Sequence, residues 1–142
     1  MVKVTKTGQY VGEFRHNLTE KNRLALPKQI RAEIEGDEVV LMRGFEECIA
    51  GYDLARWAEM VKQPLAIPAF EIQGRDLRRK MFASARVIEL DGQGRVVLPD
   101  THLTWAKLEG KAGEEVVILG AGDHFEIWQK DSWEAYARKL FQ

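Results

Sequence analysis

The sequence predicts a mainly β fold with short helices (α+β), built as two tandem half-units within one chain of 142 residues. The first observation is a repeat: LTEKNRLALP at 18–27 and LDGQGRVVLP at 90–99 share a leucine, an arginine five residues later, an apolar triplet and a proline. The second is an echo behind each copy, in which Tyr52 and Trp57 are answered by Trp128 and Trp133. The motifs are 72 residues apart and the aromatic pairs 76, which places a small loop insertion around 109–114, beside Gly110 and Gly113. The third is that short β-prone runs bounded by turn residues surround both motifs.

Each element follows in turn. Gly12 to Leu18 and Arg23 to Leu26 are strand-like around the turn Thr19 to Asn22, as V-I-E-L and R-V-V-L are around D-G-Q-G, so each motif predicts a hairpin or looped strand pair. Asn22 stands where the second copy has Gly94, and both residue types tolerate a left-handed turn. Pro27 opens a short helical stretch, KQIRAEI, with Ile30 and Ile34 on one face and Arg31 off it. Pro99 opens DTHLTWAKL, whose apolar positions are Leu103 and Ala106 or Leu108 and which lacks an arginine matching Arg31. VVLM from Val39 and VVIL from Val116 read as strands reaching Gly44 and Gly120, each followed by a strand ending near Tyr52 or Trp128. An amphipathic helix closes each half, with Asp53 as N-cap in the first and Asp131 in the second, Glu134 completing a capping box. Its tryptophans are packing residues rather than a ligand box. Pro64 and Pro68 bound a short linker, and a weaker helix from Ala69 to about Phe82, interrupted by Gly74, leads onward. The expected division is a first unit at 12–63, a helical connector at 64–83 and a second unit at 84–142.

Half-units of about 70 residues sit near the lower limit for an independent core, so two halves that complete each other's core are expected. Cys48 is the single cysteine and the three histidines are scattered, which excludes an intrachain disulfide and predicts neither a metal site nor a cofactor. No apolar run reaches signal-peptide or membrane-span length, so a soluble cytoplasmic protein without a membrane partner is expected.

Net charge is −1, but its distribution follows the repeat: 1–35 carries +3, 36–74 carries −4, 75–95 carries +3 and 96–142 carries −3. A fold that gathers the two motif segments presents one basic face. Catalysis finds no support. His16, His102, His124 and Cys48 form no nucleophile, base and orienter set, and D-G-Q-G-R lacks the G-K-[ST] end of a phosphate loop, so no enzyme and no small-molecule substrate is predicted.

The repeated L-[D/T]-x-x-[G/N]-R-[LV]-x-[LI]-P, with its aliphatic strand pairs and tryptophan-marked helices from about Gly12 to Leu140, resembles the MraZ family. These are bacterial transcriptional regulators of the division and cell-wall cluster, made of two tandem SpoVT/AbrB-type swapped-hairpin units. The resemblance implies one double-psi-like β-barrel per chain and a ring-shaped homo-oligomer of about eight subunits. It further implies a nucleoid-associated protein whose partners are itself and double-stranded DNA bearing direct repeats upstream of its own operon. The family's Asp-x-x-x-Arg pair is carried by Asp91 and Arg95; in the first half Arg23 is present, but Thr19 stands where the family has Asp. Lys3 and Lys6 lie in a longer N-terminus than the family's and suggest a basic arm.

Duplex DNA needs cations for phosphates and a few side chains for base edges, and the planar fork of arginine serves both. Arg15, Lys21, Arg23, Lys28 and Arg31 are expected to line one edge, Arg31 matching the offset at which related AbrB-type proteins contact DNA. Arg95 has a mixed role, held by Asp91 for structure. The rival class is an antitoxin-like protein-interaction module on the same fold. Such modules commonly pair one hairpin unit with a disordered tail, and the well-patterned helix near the end of this sequence gives no expectation of one.

Overall fold

A computed structural model describes residues 4–142. The first half contains β1 (Glu13–Asn17), a 3₁₀ turn (Glu20–Asn22), β2 (Arg23–Ala25), α1 (Lys28–Arg31), β3 (Glu38–Arg43), β4 (Ile49–Asp53) and α2 (Leu54–Met60). Helices α3 (Lys62–Ala66) and α4 (Ile72–Phe82) lead to the second half. There the series returns as β5 (Arg86–Glu89), β6 (Arg95–Val97), α5 (Asp100–Trp105), β7 (Glu115–Gly120), β8 (Phe125–Gln129) and α6 (Lys130–Leu140). Eight strands form the framework of the described residues and short helices join or cover them, the α+β arrangement the sequence predicts.

Six strands form one antiparallel sheet in the order β1-β7-β8-β4-β3-β5, and β2 pairs β6 in a separate ribbon. The sheet order reads the same from either edge once the halves are interchanged. Each half therefore donates its first strand to the other: Phe14 of β1 faces Ile118 of β7, and Ile88 of β5 faces Val39 of β3. The hairpin expected at each motif does not form. Across the first turn only the isolated bridge Thr19↔Arg23 remains, while β1 and β2 run to different partners. The physical reason is core size: exchange lets Val39, Leu41, Val116 and Ile118 become fully buried in one cluster drawn from both halves.

Strand periodicity distributes the rest. Val39 and Leu41 of β3 enter that central cluster, whereas Met42 joins Ala50, Tyr52 and Met81 beneath α2 and α4. On β7, Val117 and Leu119 turn to Trp128, Trp133 and Cys48 beneath α6. Asp53 caps α2 by accepting from the Arg56 N–H at 2.8 Å. At α6 the expected cap is displaced. The side chain of Gln129 accepts from Ser132 N–H at 2.7 Å, leaving Asp131 in the first turn and Glu134 free to reach Arg15. Gly74 does not interrupt α4 either. It lies inside the helix at a close approach, where a Cβ would meet Ile67 and the Pro68 carbonyl at 2.7 Å. Pro64 likewise belongs to α3 rather than to a linker.

Candidate nucleic-acid interface

The two motif arginines meet on the ribbon. Arg23 pairs with Val97 and Ala25 with Arg95, while the middle pair, Leu24 and Val96, is buried. Cross-strand partners share a face, so Arg23 and Arg95 stand diagonally on the outer face of the ribbon and the leucine–valine pair fills the core side. Neither strand alone could place both.

Their local settings differ. Asp91 accepts from the Arg95 N–H at 3.0 Å, from its Nε at 2.8 Å and from the Gln93 N–H at 2.9 Å. The Arg95 backbone bond first, then its guanidinium and the Gln93 amide, holds the Asp91 carboxyl below the usual carboxylate range. In the first half Thr19 takes that place, donating its N–H and hydroxyl to the Arg23 carbonyl at 2.9 and 3.2 Å. Among the described residues Arg23 has no ion-pair partner, so its charge is uncommitted while that of Arg95 is held.

The loops interlock across the halves. Lys21 and Asn22 adopt left-handed φ of 62° and 60°, and Gly94 matches Asn22 with φ 73°. Arg31 crosses from α1 to donate to the Gln93 carbonyl at 3.0 Å, lying where any side chain at Gly94 would clash with its guanidinium. Asn22 makes the reciprocal contact, donating to Asp100 of α5 at 3.3 Å. The second motif's DGQG loop therefore sits under an arginine of the first half.

A groove of about 720 Å³ flanks the ribbon, lined by Phe14, His16, Ala25, Lys28, Gln29 and Arg31. His16 Nδ1–H donates to the Ala25 carbonyl at 2.7 Å. The repeat-related groove on the other flank is lined by Arg86, Asn22, Val97 and Asp100, with Asp100 standing where the first half has Lys28. Positive charge thus concentrates on the side of α1. Lys21, Arg23, Lys28, Arg31 and Arg95 all belong to the ribbon, its loops or the groove beside it.

Arg15 does not. Strand β1 alternates, so Phe14 and His16 face the groove while Arg15 points to the opposite side, paired with Glu134 of α6 at 3.2 Å and neighbouring Arg138 and Phe141. The expectation that it shares an edge with the other four fails on strand parity. Arg86 lines the ribbon's other flank, because the 72-residue offset aligns it with Phe14 rather than with Arg15. That offset was the available signal. Met1 to Lys3, including Lys3 of the suggested arm, lie outside the described residues. Among the described residues no cluster of three His, Cys, Asp or Glu side chains is placed to hold a metal ion, and no helix is long and apolar enough to cross a membrane.

The family model described as "MraZ protein, putative antitoxin-like" matches the chain twice, at residues 10–80 and 81–142. The chain belongs to the MraZ family. It is 39% identical over 127 residues to a Transcriptional regulator MraZ of Lactiplantibacillus plantarum, covering 89% of this chain and 86% of the relative. It is 34% identical over 125 residues to that of Roseiflexus castenholzii, covering 88% and 84%, and 34% identical over 130 residues to that of Moorella thermoacetica, covering 92% and 87%. The two consecutive matches to one MraZ model correspond to the two halves that exchange β1 and β5.

Proposed function

We propose that this MraZ-family chain is a sequence-specific DNA-binding transcriptional regulator, cytoplasmic and nucleoid-associated, that acts on direct repeats upstream of the division and cell-wall operon. The observation that carries this reading is the diagonal placement of Arg23 and Arg95 on one exposed ribbon face, with Lys28 and Arg31 beside it. Residues 12–63 and 84–142 serve as the two units and 64–83 as the connector, the swapped strands and ribbon together making a double-psi-like barrel. Arg23 is the principal DNA contact, supported by Lys21, Lys28 and Arg31, while Arg95 is shared between DNA and Asp91.

A protomer with three or four phosphate contacts binds weakly at cellular salt, since log K falls by about 0.9 per contact for each tenfold rise in salt. A ring of about eight copies answers that weakness, because adjacent subunits on repeats roughly 10 bp apart convert weak contacts into avidity. The test is a gel shift on the protein's own upstream region with wild type, Arg23→Ala and Arg95→Ala. Arg23→Ala is expected to lose more affinity and more salt slope than Arg95→Ala, and three repeats to bind far more tightly than one. Unchanged binding by Arg23→Ala, or equal affinity for one repeat and three, defeats the reading.

A further inference from the structure

Residues 4–10 lie along α1 and the turn after it, fastened at successive points. Val4 lines the groove beside Lys28 and Gln29. The Thr5 carbonyl accepts from Gln29 Nε2 at 2.9 Å, the Thr7 N–H donates to Glu33 Oε2 at 2.8 Å, and the Gly8 carbonyl accepts from Arg56 Nη2 at 2.8 Å. Tyr10 ends the series, 1% exposed, its hydroxyl donating to Asp53 at 2.8 Å and its ring beneath the Arg56 guanidinium.

The fastening is electrostatically expensive. Glu33 is 2% exposed and Asp53 0%, and Arg56 answers both, at 3.6 Å to Glu33 Oε1 and 2.6 Å to Asp53 Oδ2, while also donating to the Glu33 carbonyl at 2.8 Å. Although partial burial works against the charged form, the bond to Asp53 and the Asp53 charge raise the Arg56 pKa, so it stays protonated. Buried ion networks add little stability over apolar packing; what they fix is one conformation. The conformation fixed here is that of the strap. Between the Thr5 and Thr7 anchors stands Lys6, exposed, the one cation of the described strap. Its anchors are Gln29 and Glu33, and Val4 two residues earlier lines the groove that Lys28 and Arg31 also line.

We propose that this strap is an additional DNA-contacting arm, with Lys6 meeting a phosphate next to those met by Lys28 and Arg31, and with Arg56 as its positioning residue. The arm rests on the DNA-binding reading given above. It extends the contact surface of the first half beyond the repeated motif, to a segment with no counterpart in the second half.

The experiment measures affinity against salt on a single repeat for wild type, Arg23→Ala, Lys6→Ala, Lys6→Arg, Arg56→Lys and the double variant Lys6→Ala with Arg56→Lys. Lys6→Ala is expected to lower the slope of log K against log salt by about 0.9 per bound protomer, and Lys6→Arg to restore it. Arg56→Lys keeps the positive charge but loses the fork that reaches Gly8, so it should lower the slope similarly, with no further loss in the double variant. An Arg23-dependent slope that ignores Lys6 overturns the arm alone. Additive losses in the double variant overturn the positioning role of Arg56. Binding that ignores both Arg23 and Lys6 overturns the DNA reading together with the arm.

Discussion

Replacing His102 by isoleucine tests how far the second half has departed from the plan of the first. The 72-residue offset sets His102 on Ile30, and each is 0% exposed in the helix after its motif proline. The imidazole Nε2–H donates to the Leu41 carbonyl at 3.0 Å, and Nδ1 accepts from the Thr101 hydroxyl at 3.2 Å. Burial, aided by the charges of Arg86 and Arg43, lowers its pKa from 6.5 against the pull of the Leu41 and Ser84 backbone bonds. Below 6.5 the unfolded chain therefore takes up a proton that the folded chain refuses. The stability contributed by the neutral ring is complete above that value and is lost as pH falls toward the folded pKa, by at most about 1.4 kcal/mol per pH unit. His102→Ile removes that slope but leaves the Leu41 carbonyl without its donor, at about 1–3 kcal/mol. The variant should be the less stable protein at pH 8, and the deficit should shrink by up to about 1.4 kcal/mol for each unit below 6.5. Urea unfolding followed by tryptophan fluorescence at pH 8, 6.5 and 5.5 measures it. Other titrating groups are common to both proteins and cancel in the difference. A deficit that is constant with pH, or that widens on acidification, refutes the reasoning.

His124 should behave in the opposite sense. Its ring stacks on Tyr52 at 5.2 Å between Asp123 at 2.7 Å and Glu126 at 2.9 Å; burial opposes the charged form, but bonds to Glu126 and Asp123 outweigh it and raise the pKa above 6.5. That contribution is complete below 6.5 and is lost as pH rises through the folded pKa, so His124→Gln should cost about 1.5–3 kcal/mol at pH 6 and less at pH 9 in the same unfolding assay. A cost that grows with pH contradicts the assignment. Gly51 faces Phe125 across β4 and β8, and a Cβ there would strike the buried Phe125 ring. Gly51→Ala should therefore destabilise by about 1–3 kcal/mol, and less when Phe125 is also replaced by leucine; equal cost in the two backgrounds shows that the ring is not the obstacle.

Much of this protein was legible before its structure. The order of strands and short helices, the left-handed turn shared by Asn22 and Gly94, the Asp53 cap and the packing of Cys48 and Trp133 all follow from local signals that residue type carries. The misses share a cause. The hairpin at each motif, the Asp131 cap and the break at Gly74 are each locally reasonable, and each is overruled by a specific contact: the distant β7 and β3 for the hairpins, the neighbouring Gln129 at α6, and the packing of Ile67 and Pro68 against Gly74 at α4. The site shows the same division. Arg23 and Arg95 follow from the repeat and Arg31 from its offset to Arg23, but β1 parity removes Arg15 from the group, and the set of buried Glu33 and Asp53 with partly buried Arg56 is assembled from segments that no local pattern links.

By itself the sequence determined that the chain is a duplication, that each copy carries an arginine at a turn, and that the copies differ, Thr19 standing in one where Asp91 stands in the other. Those are properties of residue identity and spacing. Tertiary structure alone decided that the halves exchange β1 and β5, that the two arginines come to rest diagonally on one ribbon, and that Arg31 closes over the other half's loop. The reason is that half a core cannot bury its own strands. Completing it requires partners in the other half, Ile118 for Phe14 of β1 and Val39 for Ile88 of β5, and only the register of those pairings settles which side chains face outward together.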